Sequence, residues 1–295
     1  MIIKHQYLIV TEACNLKCTY CWYKSDGLKD ATTRIQPHHL RHWLSQCLSA
    51  VEIESLTLTG GEPLLRHDLQ GFLNISREFS LNTGLLTNGT LMTPRLAAEF
   101  RDLDVEVFIT LDSITPDYHN NVRGEHESVM QGLHFLSEAL VPRRNITTVV
   151  SRGNIDQIEP LRMFAKKDGF DITFHPASLS ARDRNNLVNC TQEEIQTLLR
   201  HLHPWAHERN RAHYLSLFAW VARFGHPPKL RDCKFARTSL IINSDGLCYP
   251  CFQHKTQPLG NVLLDSPKQI ITSRQAFVDV FRPASCIRTD CLGVF

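Results

Sequence analysis

The stretch Thr11-Glu-Ala-Cys-Asn-Leu-Lys-Cys-Thr-Tyr-Cys-Trp22 places Cys14, Cys18 and Cys21 in a CxxxCxxC run directly behind the apolar, β-prone segment Gln6 to Thr11. Three thiolates on one loop suit an iron-sulfur cluster, and a four-iron cluster so held keeps one iron open to a ligand that is not protein. A structural zinc site is the alternative, but zinc usually takes four protein ligands from paired units, and no partner pair lies nearby. An open iron implies chemistry rather than scaffolding.

Downstream of this loop, Leu40, Trp43, Leu44, Cys47, Leu48 and Val51 recur at helical spacing. Short β-prone runs then alternate with helix-length segments. Strands are expected at Ser55–Thr59, Asn82–Leu86, Val105–Leu111, Ile146–Val150 and Asp171–His175, and helices near Asp68–Phe79, Pro94–Arg101, Ser128–Leu140 and Ile158–Lys167. With Gln6–Thr11 this makes six strands, each separated from the next by a crossover, as a parallel sheet requires. Thr191-Gln-Glu-Glu194 is a capping box that starts a further helix, and another is expected around Tyr214–Phe224. Pro227-Pro228 then marks a boundary. The tail from Lys229 to Phe295 is too short for a self-sufficient core without a staple such as a metal site. The chain divides into residues 1–188, a helical linker 189–228 and a terminal unit 229–295.

The CxxxCxxC loop resembles the signature of the radical S-adenosylmethionine (SAM) enzymes. The resemblance implies an α/β fold with a partial, open (β/α)6 TIM-like barrel and an active site at the carboxyl ends of the strands. It also implies that the open iron chelates SAM, that the reduced cluster cleaves it, and that the 5′-deoxyadenosyl radical so formed abstracts hydrogen from a substrate carbon. Further segments carry the likeness. Gly60-Gly61-Glu62-Pro63 follows the second strand and matches a segment that meets the SAM amino group, with glycines that let backbone approach a ligand. Tyr20, before the third cysteine, matches an aromatic that lies against the adenine. Asn88, Thr110 and Asp112, at the ends of the third and fourth strands, match polar contacts to the ribose and methionine parts. Arg123 matches an arginine on the SAM carboxylate, where a guanidinium offers two parallel bonds.

Cys233 and Cys251 frame a Cx12Gx4C segment with Asn243-Ser-Asp-Gly246 as a hairpin turn. This segment, Leu259-Gly-Asn261 and the terminal Cys286 and Cys291 resemble the SPASM/twitch extension, a small cysteine-rich domain that binds auxiliary iron-sulfur clusters. Five cysteines suffice for one auxiliary cluster, expected to be a four-iron one. Cys233, Cys251, Cys286 and Cys291 fit the pattern, and Cys248 is spare, an alternative ligand through its CxxC spacing from Cys251. As a spare thiol it is also a candidate hydrogen-atom donor to a substrate radical. A zinc site built from four of the five remains the other reading.

Composition bounds the rest. Of 295 residues, 42% are hydrophobic and 21% charged, as in globular proteins, and a net charge of +2 gives no argument for nucleic acid or a membrane surface. No apolar run approaches the length of a membrane span, and the amino end lacks a secretory signal, so a reducing, cytoplasmic setting is expected, where grouped cysteines mean metal rather than disulfides. The likeness implies an electron donor such as flavodoxin or ferredoxin and a peptide or small-molecule substrate. Ribosomal peptide or protein maturation is the first expectation: oxidation, cross-linking or epimerisation. Only thirteen residues precede Cys14, so leader recognition would need a separate leader-binding protein or the barrel itself. The alternatives are dehydrogenation, epimerisation or decarboxylation of a sugar or nucleoside metabolite, and, in another class, a non-enzymatic metal-cluster scaffold. His175, ending the sixth strand, is the remaining catalytic candidate, set against fourteen other histidines.

Overall fold

The computed structural model describes residues 2–21, 33–49, 51–226, 233–252 and 257–281. Cys286, Cys291 and the Pro227-Pro228 boundary lie outside the described residues. Among those described, no helix is long and apolar enough to cross a membrane.

Six strands alternate with helices as the sequence pattern requires: β1 Ile2–Thr11, α1 Pro37–Cys47, β2 Glu52–Gly60, α2 Leu69–Glu78, β3 Asn82–Thr87, α3 Pro94–Asp102 and β4 Glu106–Thr110. The short α4 Pro116–Val122 and α5 His126–Glu138 lead to β5 Arg144–Val150, and α6 Ile158–Lys167 leads to β6 Asp171–Pro176. All six strands are parallel, in the order β6-β5-β4-β3-β2-β1. Helices α7 Gln192–Glu208 and α8 Ala212–Phe224 follow, and the Thr191–Glu194 capping box is formed. Trp205 on α7 donates its indole N–H to the Ile172 carbonyl at 2.8 Å, pairing a main-chain acceptor of edge strand β6 with a side chain.

After α9 Lys234–Thr238, the chain returns to the other edge of the sheet. Strand β7 Ser239–Ile242 pairs parallel with β1, and β8 Leu247–Tyr249 and β9 Gly260–Asn261 add on antiparallel. Among the described residues these nine strands form one open sheet, with no pairing between β6 and β9 to close it. Asn243-Ser-Asp-Gly246 is the expected hairpin turn, with Gly246 in the left-handed region at φ +89°. Helix α10 Pro267–Val280 packs back on α1, and its buried Arg274 donates to the Ser239 carbonyl at 3.2 Å.

Strand alternation divides the sheet into two unlike faces. Leu8 and Val10, Leu56 and Leu58, Val107 and Ile109, and Ile172 and Phe174 point into one continuous core beneath the helices. There Trp43 on α1 donates to the buried Gln6 Oε1 at 2.9 Å, which pairs the acceptor of this polar residue in a core strand while its Nε2 stays buried without an acceptor. Each large apolar side chain enclosed on this face contributes about 2 kcal/mol. The intervening residues Thr57, Thr59, Phe108, Thr110, Thr147, Thr173 and His175 are only half-buried, which makes the other face a polar, partly open concavity. A second, smaller cluster closes that face beside β1: Ile9, Ile241 and Tyr249 with Tyr7, Phe235 and Phe252.

Candidate functional site

The loop bearing Cys14, Cys18 and Cys21 leaves the carboxyl end of β1 and is held from three sides. On one side, the amides of Gly61 and Glu62 donate to the Thr11 and Ala13 carbonyls at 2.9 and 2.8 Å. A Cβ on Gly60 would overlap the Thr11 carbonyl oxygen, and one on Gly61 the oxygens of Ala13 and Glu12. The space at these glycines is therefore filled by the cysteine loop's own main chain, where the sequence reading expected a ligand. Since main chain cannot swing aside, Gly61→Ala is expected to cost about 3 kcal/mol and to lower the iron bound by that loop. Thermal melting and iron content check this.

Glu62 is fully buried beneath this turn. Its carboxylate accepts from the Thr87 hydroxyl at 2.6 Å, the Asn88 amide at 2.7 Å and the Leu64 amide at 2.9 Å, tying the end of β2 to the end of β3. Burial raises its pKa, and these donors oppose the shift. Pro63, itself buried, begins a single turn that continues the segment. On the second side, Asn15, between the first two cysteines, accepts from the Asn88 side chain at 2.9 Å and donates to Thr90 at 2.8 Å.

The third side is formed by Tyr20, Asp112 and Arg123. The Tyr20 hydroxyl donates to Asp112 Oδ2 and accepts from Arg123 Nη1 at 2.9 Å, while Arg123 Nη1 stands 4.0 Å from the same carboxylate oxygen. The Arg123 guanidinium lies 5.8 Å from the Tyr20 ring centroid. Asp112 is wholly buried, and its Oδ1 accepts from the Val149 amide at 2.8 Å. Burial raises the pKa of Asp112, with Arg123 the main opposing influence. For Arg123, burial works against the charge, but Tyr20 and Asp112 outweigh it and hold the pKa above the arginine range. The Thr19 amide also donates to the Val122 carbonyl at 2.8 Å, beside Arg123. Thr110 lies half-buried at the end of β4 on the concave face.

Among the described residues no three metal-ligating side chains, Cys14, Cys18 and Cys21 included, are gathered closely enough to hold a metal ion as they stand, but the surroundings suit the group these cysteines imply. Burial raises the Cys18 thiol, Arg123 acts against that, and Cys21 and Cys14 add to it, so the three sulfurs and one guanidinium lie within electrostatic reach. Metal ligation needs thiolates, and a neighbouring cation eases their formation. Arg123 also keeps a buried Nε–H with no acceptor, available to an anionic ligand.

His119, next to this network, is fully buried, takes the Asp112 amide on Nδ1 at 3.3 Å, and has its pKa pulled down to about 3, first by burial and then by Arg123 and His126. His175 is pulled down to about 4 by burial and Arg211, and lies edge-on to Tyr214. Folded His119 stays neutral while the unfolded chain gains a proton below about pH 6.5. Stability is therefore full above that value and falls as pH drops from about 6.5 toward 3, by up to about 1.4 kcal/mol per pH unit. Urea unfolding at pH 7.5 and 5 is expected to show this loss, reduced by about 2 kcal/mol in His119→Asn, whose amide oxygen replaces Nδ1 as acceptor.

In the terminal unit, Cys233 and Cys251 adjoin Phe235 and Phe252, whose rings are 6.1 Å apart and both pack on Tyr7 of the concave face. Cys248 faces the other way. It alternates with Leu247 and Tyr249, lies in the main core, is completely buried, and has its thiol pKa raised by that burial. Neither the hydrogen-donor nor the alternative-ligand reading of Cys248 is supported by this placement, because the pleat turns the thiol away from the concave face.

A family model for the radical SAM superfamily matches residues 8–165, the segment from β1 through most of α6. The chain belongs to the radical SAM superfamily. A second model, an iron-sulfur cluster-binding domain of the SPASM type, matches residues 233–292. This radical SAM enzyme thus has a SAM-binding [4Fe-4S] cluster, SAM and an auxiliary iron-sulfur centre as its cofactors. The chain is 25% identical to the mycofactocin maturase MftC of Mycolicibacterium smegmatis over 97% of its own length and 74% of that protein's. It is 33% identical to the GTP 3′,8-cyclase of Geobacter sulfurreducens, over 51% of this chain and 48% of the cyclase. The structure of anSMEcpe with bound AdoMet superposes with a TM-score of 0.70 at 20% identity, over 93% of this chain and 83% of that one. SuiB of Streptococcus suis superposes at 0.68 and 16% identity, over 90% and 65%. These two likenesses show the shared open-barrel fold with its extension.

Proposed function

We propose that this radical SAM enzyme matures a ribosomally made peptide or a protein in the cytoplasm, by oxidation, cross-linking or epimerisation. The observation that carries this reading is the match to a maturase over 97% of the chain, barrel and extension together. The half-buried threonines of the concave face, Thr57, Thr59, Thr110, Thr147 and Thr173, would give such a substrate hydroxyl partners.

In this reading Cys14, Cys18 and Cys21 hold the SAM-binding cluster, and Arg123 offers its free Nε–H to the SAM carboxylate. Tyr20, Asn88 and Thr110 stand around the same space, and the Gly60–Pro63 turn sets the loop's height above β2. Cys233 and Cys251, with Cys286 and Cys291, hold the auxiliary cluster. Cys248 serves packing. When bound and reduced, the first cluster with SAM supplies a carbon radical that takes hydrogen from a substrate carbon. His175 is kept neutral on the concave face, and the burial and Arg211 that lower its pKa to about 4 also oppose its protonation, so it would serve there as a neutral hydrogen-bonding group rather than as a base. A flavodoxin or ferredoxin would deliver electrons. A second reading, chemistry on a nucleotide or sugar, is favoured by relatives named GTP 3′,8-cyclase and by one named probable GTP 3′,8-cyclase that matches over 95% of the chain at 24% identity.

Anaerobically reconstituted, dithionite-reduced protein is expected to form 5′-deoxyadenosine, and to form it faster with short peptides encoded beside the gene than with GTP or sugar nucleotides. The reverse order would install the second reading. No cleavage by an intact, reduced cluster would leave a scaffold.

A further inference from the structure

The contact between Tyr20 and Asp112 joins residues 92 positions apart, and that between Tyr20 and Arg123 spans 103. If Asp112 served only to neutralise Arg123, a direct two-bond pair would be the stronger arrangement. Instead the guanidinium stands off at 4.0 Å and the Tyr20 hydroxyl occupies the position between them. Asp112 itself has no freedom to adapt. Its Oδ1 is fixed by the Val149 amide at 2.8 Å, its carbonyl by Asn154 Nδ2 at 2.8 Å, and its amide by His119 at 3.3 Å. Asn154 is in turn wholly buried and also bonds the Val149 carbonyl at 3.1 Å. The order of dependence therefore runs from the scaffold outward, through β5, the Asn154 turn that follows it and His119 of α4, to Asp112, then Tyr20, then Arg123.

Tyr20 precedes Cys21, so its main chain is fixed by the cysteine loop and its side chain has only two torsions left to set. One bond to its hydroxyl removes most of that freedom. We propose that Asp112 is a positioning residue that orients the Tyr20 ring and, through the Tyr20 hydroxyl, the Arg123 guanidinium toward SAM. This rests on the reading that Tyr20 and Arg123 face SAM. It departs from the sequence expectation for Asp112, which was a direct contact to the ligand.

The test uses the full chain, reconstituted anaerobically, as wild type, Tyr20→Phe, Asp112→Asn and the double variant. Three quantities are read: iron per chain, the SAM dissociation constant, and the change in the reduced cluster's electron paramagnetic resonance spectrum on adding SAM. Tyr20→Phe keeps the ring and deletes only the link, so it tests the idea even if Asp112→Asn folds poorly. Iron content is expected to be unchanged, with SAM binding weakened roughly ten- to hundredfold in each single variant. The double variant is expected to lose little more, since both changes break one unit. Single variants that bind SAM within about twofold of wild type would overturn the proposal, as would iron loss in step with SAM loss, which marks a merely structural role. If the wild-type spectrum does not respond to SAM, the underlying assignment fails instead.

Discussion

Replacing Cys18 with alanine is expected to abolish 5′-deoxyadenosine formation, with loss of about four irons per chain and no change in the auxiliary centre. Cys18 is the buried member of the three, 8% exposed, whereas Cys14 is exposed and Cys21 lies between. It is also the thiol for which Arg123 is the principal influence opposing burial. An exposed position is more readily replaced by an exogenous thiol or water than an enclosed one, so Cys14→Ala should recover partial iron with added thiol while Cys18→Ala should not. Iron analysis together with product chromatography measures both. Retained cleavage in Cys18→Ala would remove that residue from the cluster and with it the basis of the site.

The parts of this architecture set by local periodicity were legible in the sequence. The stripe from Leu40 to Cys47, the Ile158–Lys167 helix and the Thr191 capping box form where spacing and cap chemistry place them, because each depends on neighbours three or four residues away. The Leu48 and Val51 end of the first stripe lies beyond the last turn of α1, and β1 runs four residues further back than Gln6, as strands β2 and β7 pair with it on both sides. Helix α10 was missed although Ser266 and Gln269 form the same kind of box as Thr191 and Glu194. That signal was available. What was not available is long-range: the placement of β7 beside β1, the burial of Glu62 under the Asn88 turn, and the Tyr20–Asp112–Arg123 link. In each case the residues are polar, and one-dimensional pattern does not show whether a polar group meets a ligand or another part of the chain. The same holds for Gly60 and Gly61, whose missing side chains admit a neighbour without naming it.

The pair Cys248 and Cys251 separates geometry from spacing in the terminal unit. Two residues of a CxxC are ordinarily read together as ligands, but β8 ends at Tyr249, and its pleat carries Cys248 into the core beside Cys47 while the chain beyond turns Phe252 onto Tyr7. Cys251→Ala is therefore expected to lose the auxiliary cluster, about four irons, and with it turnover of substrate, while SAM cleavage without substrate continues at the first cluster. Cys248→Ala is expected to keep all its iron and its activity, at a cost of about 1–2 kcal/mol for the cavity left by a small buried side chain. Iron per chain and urea midpoints on both variants decide the matter. Equal iron loss in the two would mean that the strand end unwinds to bring both sulfurs onto one centre, at the expense of the Leu247–Asn261 and Cys248–Gly260 pairings that anchor β9. A three-residue strand with the Cys248 thiol sealed in apolar surroundings gains nothing by that exchange, since it would break ladder bonds and bare core to bring one more sulfur out.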